Sequence, residues 1–180
     1  MRFAVLYARS RRLPVAHLTA VAVALGGALI APADGGAGPV LTAFVAVVCA
    51  GVLGTGLTGA DPALERTAAI AWVPRRALHV AAIAAVLAAL ASAVDGGAHP
   101  AALRDAVGTT GLLALGATAL GARTAWALPL AWFAGTVFLP AERTAARWMF
   151  VAGPEPASTR TAVLLGLSGL CAYALFGNRR

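Results

Sequence analysis

Six apolar runs divide the chain, each bounded by short stretches rich in Gly, Pro, Asp or Arg: Leu13–Ile30, Pro39–Leu57, Ala77–Val94, Ala106–Gly121, Thr124–Leu139 and Thr161–Phe176. A bilayer-crossing helix needs about 20 predominantly apolar residues and can manage with about 17. The pattern therefore predicts an all-α, polytopic membrane protein of about six transmembrane helices. The fourth and fifth runs are short, and only Ala122 and Arg123 separate them. They read either as a tight helical hairpin or as a pair in which one member is re-entrant.

Composition moves the same way. Only 12% of the 180 residues are charged, against about 25% in soluble domains, and mean hydropathy is +0.82. Such a chain cannot cover a globule with polar groups, so residues 1–180 read as one integral membrane domain with the lipid bilayer as solvent. The net charge is +7, and every cation is arginine. The arginines stand at the ends of apolar runs, where anionic headgroups would meet them, and no stacking aromatics are interleaved with them. Nucleic-acid binding is rejected on that ground.

Arginine placement also sets orientation. With the N-terminus inside, the inner segments carry Arg2, Arg9, Arg11, Arg12, Arg66, Arg75, Arg76, Arg123, Arg179 and Arg180, and the outer ones Arg104, Arg143, Arg147 and Arg160. This bias predicts an N-in/C-in, multi-pass protein of the cell (plasma) membrane. Ser10-Arg11-Arg12-Leu13 ahead of the first run, with Ala31-Pro32-Ala33 after it, also fits a cleaved leader. Five further runs favour an uncleaved first helix.

Three polar segments stand out. Residues 1–12 mix Phe3, Val5, Leu6 and Tyr7 with four arginines and read as a basic interfacial segment or a plain positive-inside anchor. Residues 58–76 read as a cytoplasmic loop with a short helix. Asp61-Pro62 supplies an N-cap and a first-turn proline, Glu65 lies near the positive helix end, Pro74 is expected to stop the helix, and Arg75-Arg76 to mark the return to the membrane. Residues 140–159 read as an outer loop with Trp148 at headgroup depth, either dipping into the outer leaflet or simply extracellular. Glu65-Arg66-Thr67-Ala68-Ala69 reappears as Glu142-Arg143-Thr144-Ala145-Ala146, with Trp72 and Trp148 shortly after each. Three spans lie between the copies, so a 3+3 inverted repeat is one reading and coincidence the other.

Candidate chemistry is sparse. Cys49 and Cys171 lie inside apolar runs and read as small buried hydrophobes. Arg104 and Asp105 stand at the mouth of the fourth run, where headgroups or each other would satisfy them. Gly166-Leu167-Ser168-Gly169 matches the serine motif of intramembrane proteases, yet no histidine follows Ser168 to activate it, and a small-residue helix contact is the preferred reading. There is no H-E-x-x-H, and a chain without lysine cannot hold a Walker A motif. No catalytic residue, cofactor site or metal site is assigned, and the chain is not expected to be an enzyme. Glycines cluster at Gly51, Gly54, Gly56 and Gly59 and at Gly108, Gly111, Gly116 and Gly121. Gly51, Gly54, Gly108 and Gly111 are the expected helix-packing residues.

A basic pre-helix, six spans with both ends inside, a short helix between spans two and three, and a long outer segment between spans five and six together resemble the membrane (permease) subunit of ABC-2-type exporters. The lysine-free, Ala/Gly/Arg-rich composition, with Asp61-Pro62-Ala63-Leu64-Glu65-Arg66-Thr67-Ala68-Ala69 and Ala125-Trp126-Ala127-Leu128-Pro129-Leu130-Ala131-Trp132, is similar to that of small permeases from high-GC actinobacteria. The resemblance implies a non-catalytic subunit working with a separate ATPase, contacted through Asp61, Leu64, Glu65 and Arg66. The chain is shorter than is usual in that family, which implies a homodimer or a second membrane subunit. A membrane-embedded structural or interaction protein, such as an assembly or immunity factor without transport activity, is the competing expectation.

Overall fold

The computed structural model describes residues 13–31, 38–57, 72–94, 100–140, 142–143, 145–151, 153 and 155–177. Among the described residues all regular structure is helical: α1 (Leu13–Ile30), α2 (Gly38–Gly54, extended by a 3₁₀ turn over Thr55–Leu57), α3 (Trp72–Val94), α4 (Pro100–Ala119), α5 (Ala127–Val137) and α6 (Pro156–Phe176), with a further 3₁₀ turn at Trp148–Phe150. Three of these stretches, Gly38–Leu57, Trp72–Val94 and Pro156–Phe176, are long and apolar enough to cross a membrane. Residues 1–12, expected to form a basic interfacial segment, and residues 58–71, with Asp61, Leu64, Glu65 and Arg66, lie outside the described residues.

Every one of the six helices has a proline among its first three residues: Pro14, Pro39, Pro74, Pro100, Pro129 and Pro156. In that turn the missing N–H has no intrahelical acceptor to lose, and the fixed φ suits the helix. This rule corrects two boundaries drawn from hydropathy. Pro74 opens α3 rather than ending an earlier helix, so Arg75 and Arg76 are helical. α4 starts at Pro100, six residues ahead of the apolar run, because its first turns carry Arg104 and Asp105. The fifth element shrinks instead. Residues 121–126 form successive tight turns, leaving an 11-residue α5, about 16 Å long at 1.5 Å per residue against a hydrocarbon core of about 30 Å.

Helices consecutive in the chain run in alternating directions, so α4 and α6 are parallel. A Cβ on Gly27 would meet Val45, and the Cys49 thiol donates to the Ala20 carbonyl (3.4 Å), so α1 and α2 are antiparallel. Tyr173 Oη donates to the Leu57 carbonyl at 2.9 Å, and the Arg76 side chain lies against Gly177, which caps α6 at φ +62°. The ends of α2 and α6 and the start of α3 thus share one end of the bundle, here the Leu57 end. The starts of α4 and α6 share the opposite, Arg104 end through contacts described below.

α4 occupies the centre and makes its most extensive contact with α6. It is buried along almost its whole length, including Thr109, Thr110, Leu112, Leu113, Ala114 and Ala117. Among the described residues it is also the one helix of 20 residues or more that lacks the apolarity of a membrane-crossing segment. Its more apolar neighbours turn large side chains outward, such as Leu29 (85% exposed), Leu18, Leu78 and Leu164. Apolar residues outside and small or hydroxylated ones inside is the arrangement expected where lipid, not water, surrounds the bundle.

Candidate functional site

The glycines decide how closely the helices approach. On Gly111 a Cβ would strike the Leu165 carbonyl and Gly166 Cα, and on Gly169 it would strike the Gly111 backbone. α4 and α6 therefore touch main chain to main chain. The Gly166-Leu167-Ser168-Gly169 string is this helix contact, and the exposed Ser168 hydroxyl donates back to the Leu165 carbonyl at 3.0 Å. Gly54 faces Leu113, whose Cδ1 would be 2.8 Å from an added Cβ, and Gly51 lies against Trp126. Gly108 leaves the hole that admits a tryptophan: an added Cβ would lie 2.5 Å from Trp148 Cη2.

That tryptophan changes the picture of residues 140–159. Trp148 is completely buried and Met149 nearly so, packed with Ala43 and Val47 of α2, Leu112 of α4 and Ala162 of α6. Gly108 lies eight residues into α4, about 12 Å from its start at 1.5 Å per residue. The segment is therefore a plug pressed into the bundle, not a strand of loop at its rim. Trp132 Nε1 on α5 donates to the Ala146 carbonyl at 3.1 Å and ties the incoming limb. Trp148 Nε1 has no hydrogen-bond partner among the described residues.

Arg104 ties the outgoing limb. Its Nε donates to Asp105 Oδ1 at 2.8 Å, Nη1 to the Gly153 carbonyl at 2.9 Å and Nη2 to the Val151 carbonyl. Both side chains are buried, at 4% and 10% exposure. A guanidinium presents donors in a fixed fork, and three acceptors here take three of its nitrogens, which is how the charge is accommodated away from water. Two residues on, Glu155 caps α6 by accepting from Ser158 N (2.6 Å). The backbone N–H of Ser158, then that of Ala157, and the Arg104 charge hold the Glu155 carboxyl below its ordinary value of 4.5.

Beside the plug, an open groove of about 600 Å³ separates the start of α2 from α5. It is lined by Gly38, Pro39, Val40, Leu41, Phe44 and Phe133. Phe133 stacks at a tilt on Phe44 (5.8 Å between centroids) and edge-on against Phe150 (5.5 Å). The Arg147 guanidinium carbon sits 5.5 Å from the Phe150 ring centre, and Arg147 Nε is buried with no hydrogen-bond partner among the described residues.

Comparison with protein-family models, curated proteins and solved structures finds no match to this chain. The site must be argued from its own geometry. Of the sequence candidates, Gly54 faces Leu113 of α4 and Gly111 the α6 backbone, whereas Gly51 lies against Trp126 in the turn before α5 and Gly108 against Trp148 of the plug. Arg104 and Asp105 pair with each other, and add two carbonyls that sequence could not name. The buried position of Trp148 was foreshadowed only by a large aromatic in a loop facing a glycine-rich helix. The groove had no sequence signal, because it arises from the offset between α2 and the shortened α5. Among the described residues no three His, Cys, Asp or Glu side chains converge as a metal set.

Proposed function

We propose that the chain is a multi-pass plasma-membrane protein with both termini cytoplasmic, acting as the non-catalytic membrane subunit of an ABC-type exporter beside a separate ATPase. One observation carries the reading. Residues 58–71 join Leu57 to Trp72, and both flanks lie at the end of the bundle that also holds Arg75 and Arg76. The positive-inside rule makes that end cytoplasmic, so Asp61, Leu64, Glu65 and Arg66 would face the compartment where an ATPase works. The main-chain contact of α4 with α6 leaves no room for a substrate along that seam. A substrate path would run along a face shared with a second copy or a second membrane subunit.

A second reading, a static structural or interaction protein, is favoured by the same seam and by the Arg104 tie, which fix elements that a transport cycle would need to slide. Co-purification separates the two. The reading predicts an ATPase encoded beside this chain, which should co-purify with it from detergent, and Leu64→Asp and Arg66→Glu should each release it. Full retention by both variants would refute the contact, and a stable monomer without ATPase would favour the static reading.

A further inference from the structure

The groove between α2 and α5 has an occupant that its chemistry specifies. Every side chain lining it is apolar, and it is open along one side of the bundle. Its volume of about 600 Å³ lies within the range of ligand-binding clefts. From its lining an aromatic path leads to the plug: Phe44 to Phe133, Phe133 to Phe150, and Phe150 to the Arg147 guanidinium. The path ends on a cation. The guanidinium rests on a ring, and its buried Nε lacks an acceptor among the described residues. An apolar trough with a cation two aromatic contacts from its lining matches a molecule with a hydrocarbon tail and an anionic head.

We propose that this groove binds an anionic phospholipid of the outer leaflet, one acyl chain lying against Pro39, Val40, Phe44 and Phe133 and the phosphate accepting from Arg147. The site rests on the membrane-embedded reading but not on the exporter assignment. It also gives a role to the segment carrying Arg147 and Phe150, which the Arg104 hydrogen bonds and the buried Trp148 hold in place. Bound lipid would span from α2 across α5 to this plug and join the three elements.

The test is native mass spectrometry of the detergent-purified protein titrated with phosphatidylglycerol or with phosphatidylcholine, for the wild type, Arg147→Gln and Val40→Trp. The wild type is expected to retain one phosphatidylglycerol per chain with severalfold preference over phosphatidylcholine. Arg147→Gln should bind both lipids alike, and Val40→Trp, which fills the trough, should bind neither. Inorganic phosphate should not compete, because the tail supplies much of the contact. Unchanged preference in Arg147→Gln, unchanged binding in Val40→Trp, or displacement by phosphate would overturn the site. So would a disulfide-linked dimer formed through Val40→Cys, which would make a second copy the occupant. Thermal unfolding of each variant checks that it is folded. Alkaline carbonate washing of native membranes distinguishes the two levels of failure: release of the chain would refute membrane embedding itself, whereas retention without lipid preference would refute the groove alone.

Discussion

Replacing Gly111 by alanine tests the closest contact in the bundle. The added methyl would overlap the Leu165 carbonyl and Gly166 Cα, both main-chain atoms of α6. A side chain can rotate away from such an overlap, but a helix backbone has to move as a whole. Overpacking a well-packed interior costs about 1–3 kcal/mol, and the rigid partner places Gly111→Ala at the upper part of that range. Alanine returns about 1 kcal/mol of helix propensity, so a net loss of about 1–2 kcal/mol is expected. For a chain of this size that lowers Tm by roughly 2–8 °C. Two other glycines calibrate the result. Gly54→Ala meets only the movable end of Leu113 and should cost less, while Gly26→Ala meets nothing within 4 Å and should stabilise by about 0.4–1 kcal/mol. Thermal unfolding of the four proteins in one detergent should rank Gly26→Ala above wild type, then Gly54→Ala, then Gly111→Ala. A Gly111→Ala protein as stable as wild type would refute main-chain contact between α4 and α6.

Arg104→Ala should cost about 3–5 kcal/mol, because it removes the donors that reach the buried Asp105 carboxylate and the Val151 and Gly153 carbonyls. Arg104→Ala/Asp105→Ala should cost less than the single change, and additive losses in a double-mutant cycle would show that the pair is not coupled. The Glu155 cap gives a pH signature. Its carboxyl is held below 4.5 in the folded chain, so its stabilisation is fully present above that value and fades as pH falls through the lower folded value. The difference in Tm between wild type and Glu155→Gln should therefore be constant from pH 8 to about pH 5 and narrow below about pH 4.5. A difference that grows toward acid would contradict the cap.

Sequence pattern was a good guide to the middles of the helices and a poor one to their ends. Leu13–Ile30 is the same stretch in both, since its boundaries coincide with the change from polar to apolar. α3, α4 and α6 each begin five or six residues earlier than their apolar runs, at Trp72, Pro100 and Pro156. Their first turns hold Arg75, Arg76, Arg104, Asp105, Glu155's partner Ser158 or Arg160, which hydropathy excludes though a helix N-terminus accepts them. The fate of residues 140–159 was beyond local reading. A lone Trp148 in a proline-bounded segment looks like an interfacial anchor, and its burial depends on a hole at Gly108 some forty positions away. Sequence pointed to small-residue contacts at Gly108 and Gly111, whereas their partners, Trp148 and the α6 backbone, are products of the packing.

The central claim is a bundle inserted in the membrane with the Leu57 end toward the cytoplasm and the Arg104 end outside. Single cysteines at two exposed positions, Thr124 and Ala145, test it directly in a Cys49→Ala/Cys171→Ala background. Intact cells treated with a membrane-impermeant maleimide should label Ala145→Cys and leave Thr124→Cys unlabelled until the membrane is permeabilised. Labelling of Thr124→Cys in intact cells, with Ala145→Cys protected, would invert the assignment, and labelling of both would contradict a membrane-crossing bundle.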